Sequence, residues 1–117
     1  MNYNKWDVVL LSFPFTDLSA VKVRPAVIVS PEAANRVGEE AVFILITTNI
    51  SRRGNFDLVV TQSHPEFVET GLRFDSAIRI DKISTLKKRL VVKTLGRLGP
   101  LLQGEVEKNL RRFFEVA

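Results

Sequence analysis

Three short polar clusters stand beside apolar runs, and each carries residue types suited to handling a charged oxygen. The first is Lys22-Val23-Arg24-Pro25, where an arginine lies between a polar loop and an apolar run. A guanidinium offers five donors in a rigid fork and stays protonated at any working pH, so Arg24 suits a phosphate oxygen far better than it suits proton abstraction. The second is Thr47-Thr48-Asn49, hydrogen-bonding residues that close an apolar run and lead into Arg52 and Arg53. Small donors beside two arginines would make a phosphate-binding rim. The third is Ser76-Ala77-Ile78-Arg79-Ile80-Asp81-Lys82. On a strand, residues two apart share a face, which predicts Arg79 and Asp81 side by side with Ile78 and Ile80 turned the other way. Arg79 would then neutralise a phosphate and Asp81 would act as a general base, although a neighbouring cation lowers a carboxylate's pKa and weakens it as a base. Each cluster also fits a plain structural part: a strand-edge arginine, a threonine-rich strand end, a half-buried strand. His64, in Gln62-Ser63-His64-Pro65, is of the type most used for acid–base work near neutrality, but it lies in an irregular connection far along the chain from the other clusters.

The remaining inventory narrows the chemistry. With no Cys and one His in 117 residues, disulfides, thiolate metal sites, Cys nucleophiles and zinc chemistry are excluded by counting. No metal or cofactor is expected. Hydrophobic residues make up 45% and charged residues 26%, the composition of one compact soluble domain over residues 1–117. No uncharged apolar run reaches the roughly 18 residues of a membrane span, and the N-terminus lacks a signal-peptide pattern, so a cytoplasmic protein without membrane contact is expected. Net charge is +4, and up to Asp57 the chain carries six basic and six acidic residues, so the excess falls later. Between Arg79 and Arg97 there are seven basic residues against one acid, Asp81. That distribution points to a polyanionic partner. Lysines guarding a solvated strand edge explain the same excess.

The elements that must hold these residues are short. Apolar runs over 7–13, 25–30, 41–48, 56–61, 76–81 and 90–98, rich in Val, Ile and Phe, predict about six strands. The run 41–48 (AVFILITT) is the most hydrophobic and belongs at the centre of a sheet; 25–30 is apolar throughout and should be buried on both faces. Residues 14–23 form a loop long enough to carry function. Ser30 and Pro31 suit the start of a helical turn. From Pro100, Leu102, Val106, Leu110, Phe113 and Phe114 recur at helical spacing and mark one apolar stripe. Short strands without long intervening helices predict a small antiparallel barrel capped by a C-terminal amphipathic helix.

The order DVVLLSFPFTDLS, KVRPAVIVS, a hydrophobic strand ending ITTNI, an Ile-Arg-x-Asp-Lys-Ile segment and a leucine-rich terminal helix resembles the PemK/MazF family of toxin–antitoxin ribonucleases, in its PemK-like branch, over nearly the whole chain. The resemblance implies an SH3-like β-barrel with a terminal helix, acting as a homodimer that cuts single-stranded RNA without metal, inhibits growth and is silenced by a cognate antitoxin. It implies catalytic roles for Arg24, Thr47, Arg79 and Asp81. Arg24 and Arg79 would stabilise the phosphorane, Thr47 would bond the scissile phosphate, and Asp81 would activate the ribose 2′-hydroxyl. Lys22, Thr48, Asn49, Arg52, Arg53, Ser76 and Lys82 would bind RNA around them. Two departures stand out: Trp6 replaces the glycine common before the first-strand aspartate, and the first loop lacks the histidine that some members carry. A gyrase poison of the related CcdB type and a non-catalytic SH3-like binding module are the alternatives. The former mode goes with a tryptophan near the C-terminus, whereas this chain has its one Trp at position 6.

Overall fold

Short β-branched runs become strands because each can bury one or both faces against a neighbour. A computed structural model describes residues 3–14 and 21–117, so most of the loop expected over 14–23 lies outside the described residues. The strands are β1 (Asp7–Pro14), β2 (Val21–Ile28), β3 (Glu40–Thr47), β4 (Leu58–Val60), β5 (Ser76–Lys87) and β6 (Val91–Arg97). Two four-residue helices, α1 (Glu32–Asn35) and α2 (Phe67–Thr70), sit in the connections, and α3 (Pro100–Phe114) follows β6. The sheet order is β4-β5-β3-β2-β1-β6 with every pairing antiparallel, which puts β3 in the interior as its composition predicts. The sheet curls as an open half-barrel: among the described residues the edge strands β4 and β6 are not bonded to each other. None of the described helices is long and apolar enough to cross a membrane.

Alternation along the strands divides the core into two clusters. Val8, Val27, Ile44, Ile46, Ile78 and Ile80 point to the face that α3 covers with Leu102 and Val106. Val9, Leu11, Ala26, Ile28, Ala41 and Phe43 form the second cluster on the opposite face. Ala26, Val27 and Ile28 are fully buried although they point alternately to the two sides, as expected for a strand covered on both faces. On α3 the stripe holds for Leu102, Val106, Leu110 and Phe113. Phe114 departs from it: 56% exposed, it touches the edge of Phe113 at 5.0 Å instead of entering the core.

One local expectation is corrected, and one departure is accommodated. Ser30 does not cap the turn after it; its hydroxyl bonds the buried Asn35 side chain and accepts from the Val42 amide, tying α1 to β3. Trp6 keeps the glycine-like geometry of its position, with φ of 78°, a left-handed backbone that costs an L-residue roughly 1 kcal/mol. Its ring is buried, its amide donates to Ile28 O at 2.7 Å, and its carbonyl accepts from Leu98 N at 2.9 Å. Packing and two backbone bonds outweigh the strain.

The start of α3 is secured from a distance. Its N-cap, Gly99, has no side chain to offer, and the buried Glu66 supplies the acceptors instead, Oε1 taking Leu102 N at 2.8 Å and Oε2 taking Leu101 N at 3.0 Å. A Cβ on Gly99 would lie 2.5 Å from the Glu66 carboxyl carbon, so a side chain here would have to displace the carboxylate that caps the helix.

Candidate functional site

A proline in the middle of β2 opens the site. The β2–β3 ladder runs only from Ile28–Phe43 to Ala26–Leu45, and it stops at Pro25, which has no N–H to donate. Beyond it the strands part, and the register continued by two residues faces Arg24 toward Thr47. Between them lies a cavity of about 430 Å³ lined by Arg24, Leu45, Ile46, Thr47, Thr48, Asn49, Arg79 and Lys82. The sequence reading started β2 at Pro25; the strand instead begins at Val21 and carries the proline inside it.

Arg79 reaches this cavity because β5 is bulged. Ile44 pairs with Ile83 but Ile46 pairs with Ile78, so residues 79–82 are squeezed out opposite Leu45. A bulge leaves backbone donors without ladder partners. Asp57, whose side chain is 1% exposed, fills that role: Oδ1 accepts from Ile80 N at 3.0 Å. Its Oδ2 takes Arg79 Nε at 2.7 Å and Gly54 N at 2.7 Å. One carboxylate thus stands in for a strand carbonyl, closes a turn and fixes a guanidinium. The pair uses Nε, and no described acceptor takes the outer Arg79 amines. Arg79 therefore presents a fixed, two-pronged donor to the cavity.

Of the residues singled out in the sequence, Arg24, Thr47, Thr48, Asn49, Arg79 and Lys82 come together here. Thr47 Oγ1 accepts from Asn49 N at 3.1 Å, which shapes the end of β3. Asp81 does not pair with Arg79: the bulge breaks the expected alternation, Asp57 takes the guanidinium, and Asp81 stands exposed outside the cavity lining. Ser76 is buried, and its hydroxyl donates to Phe74 O. Arg53 is bound to its own turn, Nη1 donating to Ile50 O at 3.0 Å. The Arg52 side chain lies outside the described residues, and Lys22 is exposed on β2 beyond the cavity lining. His64 is engaged elsewhere, with Nδ1 accepting from Glu66 N at 3.0 Å and Nε2 3.4 Å from Glu105.

The cavity is cationic, with Arg24, Arg79 and Lys82 in its lining and no carboxylate among them. The other basic group has a different fate. Lys87 bonds Glu39 at 3.0 Å and holds its carboxyl below the usual range, while Lys88 Nζ donates to Asn35 O at 2.8 Å. These lysines fasten the far end of β5.

Sequence reasoning missed Asp57, whose signal was a lone acid closing the Gly54-Asn55-Phe56 turn before a strand. It also missed Arg73, at the end of the irregular connection 62–73, and Phe74 just after it, which line a second cavity meeting the first at Thr48.

Comparison with known proteins places this geometry. A Deinococcus radiodurans MazE–MazF structure superposes with a TM-score of 0.79 at 19% identity, covering 100% of this chain and 99% of that one. A mycobacterial endoribonuclease solved with its cognate antitoxin gives 0.76 at 21% identity, covering 98% and 97%. A MazF toxin of Mycobacterium tuberculosis gives 0.75 at 16% identity, covering 95% and 98%. At these identities the likeness is one of fold: the expected mainly β, MazF-like architecture with a terminal helix, its six-stranded sheet curled as a half-barrel. A search of curated proteins finds no match. Residues 4–114 match the PemK-like, MazF-like toxins of type II toxin–antitoxin systems, and the chain belongs to that family.

Proposed function

We propose that this toxin is an endoribonuclease that cuts single-stranded RNA without a metal, using the ribose 2′-hydroxyl as nucleophile. The observation that carries the reading is the cavity in which Arg24, Arg79 and Lys82 converge on Thr47 and Thr48. The 2′-oxygen bonds to the adjacent phosphorus and gives up its proton; the P–O5′ bond breaks and the leaving oxygen takes a proton. The products are a 2′,3′-cyclic phosphate and a 5′-hydroxyl. Negative charge builds on the phosphorane, where two guanidiniums, one of them fixed by Asp57, stabilise it. Arg24 and Arg79 take that role, and Thr47 bonds a non-bridging oxygen. Asp57 is a poor base because both its oxygens already accept hydrogen bonds. Asp81, exposed on the bulge beside Lys82, is the carboxylate assigned to the 2′-hydroxyl. Lys22, Thr48, Asn49, Arg52, Arg53 and Lys82 would hold flanking nucleotides.

The fold-level relatives solved with antitoxins support a cognate antitoxin as partner, and the family suggests a cytoplasmic homodimer. The test is a long single-stranded RNA incubated with purified protein in excess EDTA, beside Arg24→Ala, Arg79→Ala and Asp81→Ala. Wild type should release fragments with cyclic phosphate ends, and Arg24→Ala should lose about 10²–10³ in rate. Intact RNA with wild type, or equal cutting by Arg24→Ala and Arg79→Ala, overturns the assignment. Full activity in Asp81→Ala would move the base elsewhere.

A further inference from the structure

The second cavity, about 300 Å³, has walls of Leu10, Pro25, Leu72 and Leu95. Arg24 and Pro25 are consecutive on β2 and face opposite sides. The two cavities therefore flank β2 and meet around the end of β3, at Thr48. At its mouth Phe74 is 62% exposed, an uncovered aromatic beside an apolar hollow. The loop carrying it is pinned: Phe74 O accepts from Ser76 Oγ at 2.8 Å, Arg73 O from Gln62 Nε2 at 3.1 Å, and Asp75 Oδ1 from Gln62 N at 2.8 Å. The ring is thus mounted on a fixed backbone. Arg73 and Lys93, both exposed, add cations to the lining.

We propose that this cavity receives one unstacked RNA base next to the scissile phosphate, stacked on Phe74, with Arg73 and Lys93 drawing in the adjoining backbone. The inference rests on the ribonuclease reading. Flat apolar contact flanked by cations is how single-stranded nucleic acid is held, each base stacking on an aromatic ring while the phosphates follow the positive groove. Continuity through Thr48 with the cationic cavity selects a polynucleotide over a free apolar ligand. Phe74 is then a specificity residue, reading the face and size of a base.

The test compares wild type, Phe74→Ala and Phe74→Tyr on a long single-stranded RNA in EDTA, sequencing the cut ends and measuring KM and kcat at the preferred site. Phe74→Ala should raise KM about tenfold, the scale of one lost base–aromatic stack, with kcat little changed and nucleotide preference relaxed at one position. Phe74→Tyr should restore both. An oligonucleotide abasic at that position should be cut by wild type as poorly as the intact one is cut by Phe74→Ala. If wild type cuts and Phe74→Ala matches it in KM and cut-site profile, the base assignment falls and the ribonuclease reading stands. If Phe74→Ala cuts normally but loses binding of an acidic antitoxin segment, the cavity is a protein-docking site and the proposal is wrong. If wild type neither cuts nor binds single-stranded RNA, both fall.

Discussion

Two buried carboxylates do similar work at different places, and their partners set them apart. Asp57 and Glu66 each reach from a loop to backbone amides more than twenty residues away. Glu66 spends both oxygens on the main chain at the head of α3, where the helix N-terminus supplies the compensating positive charge. Asp57 has a cationic side chain among its donors, and that side chain lines the cavity. A carboxylate answered by a helix end docks an element. One answered by an arginine also aims a functional group, so the packing of the β5 bulge and the geometry of the site become the same problem.

Substitutions can break or sharpen that contrast. Glu66→Ala has the largest expected effect: two charge-assisted bonds and the dipole partner are lost in a buried setting, about 3 kcal/mol in all. Thermal unfolding should shift down by roughly 10 °C, while cutting per folded molecule stays unchanged. A loss of specific activity in that variant would collapse the distinction. Asp57→Asn keeps the shape but sets an amide against Arg79 Nε. Stability should fall by about 1–2 kcal/mol, and RNA cutting should fall with it by roughly tenfold, as expected when a supporting group is lost. Normal activity there would mean that Arg79 needs no anchor. Glu39→Gln is the smallest. The Lys87 hydrogen bond depresses the Glu39 pKa, so its contribution is present above the ordinary carboxylate range and is lost as pH falls through the folded value. Melting curves of wild type and Glu39→Gln between pH 7 and about pH 3 should differ slightly at neutrality and converge in acid. A gap that widens in acid would reverse the sign.

Much of the architecture was legible in the residues. β3 and α3 carry unmistakable apolar patterns, and Arg24, Thr47 and Arg79 each stand out in a polar cluster of their own, although the sequence does not show that the three line one cavity. What escaped depends on partners distant in sequence. SAIRIDKISTLK reads as a strand ending at Asp81, because charges at 81 and 82 look like a turn; the strand runs on to Lys87 through a bulge that only Asp57 makes affordable. Asp81 looked like the partner of Arg79 because alternation was assumed across that bulge. Phe74 was invisible as a platform because nothing local marks the end of a loop as the rim of a cavity.

Trp6 carries a consequence of a different kind. It is the one indole in the chain, buried, and its backbone joins the end of β2 at Ile28 to the segment after β6 at Leu98. That junction lies at the Ile28 end of β2, past the proline that follows Arg24. Intrinsic emission therefore samples that seam of the sheet, giving a built-in optical gauge of folding that needs no label.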